Sequence, residues 1–184
     1  LLGMAAHLEG KGCSVLDVAG LAQRNGPVTS HVRIAAHPDQ LHASRIVAAD
    51  VVLGCDIVVT TGQDVMSKMI AGKSRAVVNT RVMPTSAFAR NPDLNLTAEA
   101  MVAGIRGLLG EDRSEFVNAG RLAYALLGNE VAANLFLVGY AMQKGWLPVG
   151  RAALLRAIEL NGVGVDMNKA ALTWGRLAAT DRPA

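Results

Sequence analysis

Apolar and polar positions alternate between two periods along this chain, and the changes of period divide it into helices and strands. Leu1 to Lys11 places Leu1, Met4, Ala5 and Leu8 on one helical face, with Gly10 and Gly12 as stop signals. Cys13 to Val18 is a short apolar run of strand length that ends at Gly20. A helix, a turn and a buried strand make half of a βαβ unit, so the pattern predicts a first strand ahead of Leu1. Val28 to Ala36 alternates strictly: Val28, Ser30, Val32 and Ile34 share one face, and Thr29, His31 and Arg33 the other, which predicts a strand with one polar face. Val51 to Val59 contains a buried strand with an interruption near Gly54, Gly62 to Ile70 is the helix after it, and Arg75 to Thr80 is another apolar strand. Leu21 to Pro27 and the stretch around Pro84 and Arg90 to Asp93 read as loops.

The second half is more helical. Thr97 caps a helix from Ala98 to Leu109 whose buried face carries Met101, Ile105, Leu108 and Leu109. Glu115 to Asn118 is a short strand and Ala119 to Leu127 a helix; Glu130 to Lys144, Gly150 to Glu159 and Val165 to Ala179 complete the chain. Strands that alternate with helices predict an α/β fold with a doubly wound, mostly parallel sheet. The expected organisation is a single domain over 1–184, with 130–184 a helical C-terminal segment packed on it.

Composition sharpens this picture. Of 184 residues, 51% are hydrophobic and only 18% charged, against roughly 25% in an average soluble domain, so part of the surface is expected to be covered by protein. Aromatic residues make up 4%, which disfavours a stacking platform for single-stranded nucleic acid. The net charge of +3 comes from scattered Lys and Arg, and no basic stripe for nucleic acid forms. Cys13 and Cys55 lie far apart in apolar surroundings and read as buried free thiols; without a cysteine cluster they hold neither zinc nor an iron–sulfur cluster. The longest apolar run, Val131 to Met142, is too short to cross a bilayer, and no secretion signal is evident, so the expected location is cytoplasmic.

Candidate chemistry is sparse. His7, His31, His37 and His42 lack the spacing of a helical zinc site, no GxSxG occurs, and Gly72-Lys73-Ser74 mimics only the end of a P-loop and precedes a strand. The densest polar constellation is Arg24-Asn25-Gly26-Pro27 with Ser30, His31 and Arg33. Its guanidiniums, hydroxyl and fixed turn suit phosphate or carboxylate, and would equally suit a subunit contact or a solvated strand face. Asn79 and Thr80 stand at the carboxyl end of a strand, where open α/β sheets place ligand groups. Asn134, the one strongly polar side chain in an otherwise apolar helix, reads as a satisfied buried amide.

These residues carry a resemblance. Leu21 to Ile34 (LAQRNGPVTSHVRI) is similar to the gamma-domain signature of the thiamine-diphosphate-dependent 2-oxoacid:ferredoxin oxidoreductases, and Ala76 to Thr80 with Pro84-Thr85 fits the same domain. Gly139 to Gly145, Ala157 to Val163 and Asn168 to Ala170 resemble the indolepyruvate ferredoxin oxidoreductases in particular. The resemblance implies a Rossmann-like module, inactive alone, in an enzyme that oxidatively decarboxylates an aryl 2-oxoacid to its acyl-CoA and reduces ferredoxin. Other domains of that enzyme, one binding thiamine diphosphate and one ferredoxin-like, would hold thiamine diphosphate, magnesium and the iron–sulfur clusters. This domain would contribute subunit interface, in a homo-oligomer, and the coenzyme A side of the active centre, with Arg24, Asn25, Gly26, Ser30, Arg33, Asn79 and Thr80 as the binding residues. The glycine-rich turn that opens the family's domain has no counterpart after Leu1. The alternatives are a non-catalytic dimerisation module and a free-standing nucleotide-binding protein.

Overall fold

The structure, a computed structural model, describes residues 1–19, 28–82 and 97–180. Helix α1 (Leu2–Leu8) leads into strand β1 (Gly12–Ala19), which pairs with β2 (Val28–Ala35) in register from Gly12 opposite Ala35 to Ala19 opposite Val28. The pairing is antiparallel, so the partner of β1 is the next strand in sequence and the two form a separate ribbon. β1 also differs from the expected buried strand: Val15 and Val18 are 53% and 44% exposed, because α1 covers the ribbon only near its root. There Gly3 brings the α1 backbone onto the Cys13 and Val15 side chains, and Gly12 lies so close to Pro38 that a Cβ would stand 2.6 Å from its Cα.

The parallel sheet consists of β3 (Val51–Gly54), β4 (Arg75–Asn79) and β5 (Ser114–Val117), in that order. Both of its faces are covered, as parallel strands require. Ala76, Val78 and Phe116 face Ile57 of α2 (Ile57–Thr60), Met69 after α3 (Gln63–Met66), and Met101, Ile105 and Leu109 of α4 (Ala98–Leu109). Val77 and Val117 face the other layer, made by α5 (Ala119–Leu127), α6 (Ala133–Gln143) and α8 (Val165–Thr180). The α/β class, the parallel sheet and the helical C-terminal part are thus as expected.

The strand expected within Val51 to Val59 stops at Gly54. Asp56 accepts hydrogen bonds from the Val58 and Val59 amides (2.8 and 3.4 Å) and caps a helical turn, which overrides the β preference of Ile57-Val58-Val59. A side chain at Gly54 would strike the buried Thr60 hydroxyl, 2.6 Å away, so glycine lets that turn fold back under the strand. Gly72 and Ser74 belong to a turn before β4, where the buried Ser74 hydroxyl donates to Ala49 O (2.5 Å) and accepts from the Ile70 amide (2.7 Å).

Helix α6 is apolar nearly all round because it lies between the sheet and α8. Asn134, expected to be a buried amide, is instead exposed near its first turn. A Cβ at Gly139 would fall on the Leu172 carbonyl and one at Gly175 on the Phe136 carbonyl, so α6 and α8 pack backbone to backbone. Helix α7 (Arg151–Asn161) packs through Leu154, Ala157 and Ile158 on Ala5 and Ala6 of α1. A polar clasp reinforces that contact: Glu9 accepts from the Gly150 amide at the start of α7 (2.7 Å), and Lys11 bonds both Glu9 (2.7 Å) and Pro148 O (2.5 Å). The Lys11 and Gly150 hydrogen bonds hold the Glu9 carboxyl below its ordinary value. No helix of the described residues is long and apolar enough to cross a membrane.

Candidate functional site

The carboxyl edge of the parallel sheet is organised by Asn79. This residue is buried, at 7% exposure, and its side chain joins three chain segments. The amide nitrogen donates to Cys55 O beyond β3 (3.1 Å); the oxygen accepts from the Arg81 amide (3.3 Å) and from the Gly120 amide in the first turn of α5 (3.2 Å). With one donor bond and two acceptor bonds made, little of its capacity remains for a ligand. Thr80 is half-buried and its amide continues the ladder to Val117 O (3.0 Å).

Around this amide the sheet end presents groups the sequence reading passed over. Asn118 caps α5 through the Arg121 amide (3.0 Å). The Arg81 side chain lies across Gly120, where a Cβ would come within 2.8 Å of it, and its guanidinium pairs with Glu130 at 2.6 Å. An Asn directly after a strand and before a helical pattern is an N-cap signal, so Asn118 was legible; Gly120 and Arg81 carried no local signal. Thr80, Glu99, Arg106 and Asn118 line an open cleft of about 810 Å3 here. The Arg106 guanidinium sits 5.4 Å over the Phe116 ring.

The other expected residues lie on the ribbon. Arg24, Asn25 and Gly26 fall outside the described residues. Ser30 donates to Asp17 across the ribbon (2.6 Å), on the face it shares with Val28 and Val32. Arg33, half-buried opposite Ser14, is on the reverse face, three residues away in a period of two. Ser30 and Arg33 therefore do not converge on one point. His31, on the same face as Arg33, is only 5% exposed, so this polar face of the strand is partly covered rather than solvated.

The thiols differ from their expected burial. Cys13 is half-buried at the ribbon root, and Cys55, past the end of β3, is exposed by area. The Cys55 sulfur is nevertheless crowded, and desolvation together with Asp56 pushes it up to about 11, which leaves it a thiol at neutral pH. Among the described residues no group of three or more His, Cys, Asp or Glu side chains could hold a metal ion. Tyr140 Oη and the Lys144 ammonium both meet Glu115, at 3.1 and 2.8 Å, in a cross-brace between α6 and β5.

Residues 1–178 match the family described as pyruvate ferredoxin/flavodoxin oxidoreductase. The chain belongs to this family. No curated protein matches it significantly. Two solved structures share the fold of this oxidoreductase-family chain. Pyruvate oxidoreductase subunit PORC of Thermotoga maritima is 19% identical, with a TM-score of 0.65 over 96% of this chain and 84% of its own. The gamma subunit of a keto/oxoacid ferredoxin oxidoreductase of Geobacter sulfurreducens is 14% identical, with a TM-score of 0.55 over 98% of this chain and 88% of its own.

Proposed function

We propose that this chain is the gamma-type domain of an indolepyruvate-type 2-oxoacid:ferredoxin oxidoreductase in the cytoplasm. The observation that carries the reading is the family match across residues 1–178, which covers the whole α/β body and nearly all of the helical part. It also favours this reading over a free-standing nucleotide-binding protein. The narrower indolepyruvate assignment is supported by the resemblance of Gly139 to Gly145, Ala157 to Val163 and Asn168 to Ala170. In the whole enzyme an aryl 2-oxoacid would lose its carboxyl group as carbon dioxide, the acyl group would pass to coenzyme A, and electrons would leave singly to ferredoxin.

In this reading the chain is one domain over 1–184 and its 130–184 segment braces the sheet. The resemblance assigns the iron–sulfur clusters, thiamine diphosphate and its magnesium to the partner domains. The role left to this chain is interface and the coenzyme A side of the active centre. Arg24, Asn25 and Gly26 with Arg33 would meet a phosphate or a partner carboxylate, while Ser30, engaged with Asp17, would brace the ribbon, and Asn79, engaged with Cys55, would with Thr80 brace the end of the parallel sheet. A homo-oligomeric assembly role is favoured separately by the apolar side chains exposed on α1 and the ribbon, among them Met4, Val15 and Val28.

The test is Arg24→Ala and Arg33→Ala in the intact enzyme. Removing a guanidinium from a phosphate contact is expected to raise the KM for coenzyme A about tenfold with kcat little changed. Removing it from a subunit contact is expected to lower the assembled mass by light scattering. If both readouts are unchanged in both variants, neither role belongs to these arginines. A kcat/KM for indolepyruvate no greater than that for pyruvate would end the narrower substrate assignment.

A further inference from the structure

His31 lies in the signature stretch, yet its side chain is largely shielded from solvent. It stands on β2 opposite Leu16, 5% exposed, under the irregular segment from Leu41 to Ala48. Its Nδ1 accepts a hydrogen bond from the Ile46 amide at 2.8 Å. Among the described residues, this is the hydrogen bond that ties the backbone of 41–48 to the ribbon. The segment is otherwise held at its ends, by the Leu41 amide on Pro38 O (3.1 Å) and by the Ala49 amide on Lys68 O (2.8 Å).

We propose that His31 is a proton-operated latch on the segment 41–48. A ring nitrogen that accepts an N–H carries no proton, so the bond exists only in the neutral imidazole. Protonation makes both ring nitrogens donors. The Ile46 N–H then faces another donor inside a covered site, and the bond is replaced by a repulsive contact. The cations in this region steer the same way. Arg33 shares the His31 face of β2, Arg45 adjoins Ile46, and β1 presents the uncharged Leu16. On the α3 side stands Asp64, whose carboxylate is held by Lys68 at 2.6 Å and approached by Arg45 at 3.9 Å. Asp64 would attract an imidazolium, but Lys68 and Arg45 offset its charge, and that attraction does not give the Ile46 amide back its acceptor. With the latch open, the segment lifts from the ribbon and loosens its Arg45 to Asp64 contact with α3, while β1, β2 and the parallel sheet persist.

The experiment follows amide exchange in residues 41–48 of the whole chain from about pH 8 to about pH 5, a range that spans ordinary histidine titration. Rates are referred to the unstructured rate at each pH, and the His31 imidazole is titrated by NMR in parallel. Wild-type protection at Ile46 is expected to fall about tenfold or more, with the midpoint of the His31 titration. His31→Gln, whose side-chain oxygen accepts at any pH, is expected to stay protected throughout, and His31→Leu to be unprotected throughout. The proposal is overturned if wild-type protection stays level while His31 titrates, if His31→Gln keeps the wild-type pH dependence, or if circular dichroism shows that the whole chain unfolds at the same midpoint.

Discussion

Asn79 links three segments through one side chain, and its chemistry explains why an amide stands there. A hydroxyl could not span Cys55 O on one side and two amides on the other, and a carboxylate would set an oxygen against the Cys55 carbonyl. Asn79→Ala would leave the Gly120 and Arg81 amides and the Cys55 carbonyl seeking partners in a largely covered site. Each unmet group costs about 1–3 kcal/mol, and water at the open edge will recover some of that, so the expected loss is about 3 kcal/mol. Thr80→Ala removes a half-buried methyl and hydroxyl for which no such network exists among the described residues, and should cost under about 1 kcal/mol. Urea unfolding of the two variants decides between the roles: equal losses would show that Asn79 is an ordinary strand-end residue. The strand-end position of this residue was visible in the sequence. Its engagement was not, because its partners sit 24 and 41 residues away.

Elements whose periodicity matched their final environment were read correctly. Thr97 caps α4 and its Met101, Ile105 and Leu109 are buried; α5, α7 and α8 lie within a few residues of their expected bounds. Failures came where a single side chain or a tertiary contact outweighed the pattern. The Asp56 cap turned β-branched residues into a helix, and the antiparallel partner of β1 depended on a pairing between strands that periodicity alone does not orient. The most consequential illegible feature is the contact of α6 with α8. Gly139 and Gly175 look like weak points in helices, and each costs helix propensity relative to alanine. Tertiary packing reverses that preference, since each glycine is where the opposite backbone arrives. Gly139→Ala and Gly175→Ala are therefore expected to destabilise by about 1–3 kcal/mol each. The losses should be less than additive, because the first substitution already parts the two helices. Gly104→Ala in α4, where a Cβ meets nothing within 4 Å, should stabilise by up to about 1 kcal/mol. Thermal melts of the three variants check the ordering, and a neutral Gly139→Ala would mean that α6 and α8 are not closely packed in solution.

The low charge of the whole molecule acquires a location on the surface. Leu1, Met4 and Val15 line a cleft of about 730 Å3 between α1 and the ribbon, with His7, Lys11 and Cys13 on its other walls. Leu1, Met4 and Val15 are each more than a third exposed. A two-stranded ribbon is marginal by itself, and its outer half gains nothing from α1, so an apolar face kept there is more readily explained by contact in an assembly than by the stability of this chain. Val15 provides the discriminating substitution. Val15→Lys can keep an aliphatic stem against Gly3 of α1 and put its ammonium in the water that this half-exposed position already meets, so the expected change in unfolding free energy of the isolated chain is under about 1 kcal/mol. In the assembled enzyme the same lysine would have to lose water against an apolar partner. Assembly should weaken by at least about 1.4 kcal/mol, roughly tenfold in the dissociation constant, since burying the rest of a valine contributes about 1 kcal/mol and a desolvated ammonium costs more. Val47→Lys is the control: Val47 is 78% exposed, but it stands alone in the segment over His31, and its substitution should alter neither quantity. Analytical ultracentrifugation with purified partner subunits reads both variants. Equal dissociation constants for Val15→Lys and wild type would place the assembly surface elsewhere on the molecule and leave the exposed ribbon face without a partner.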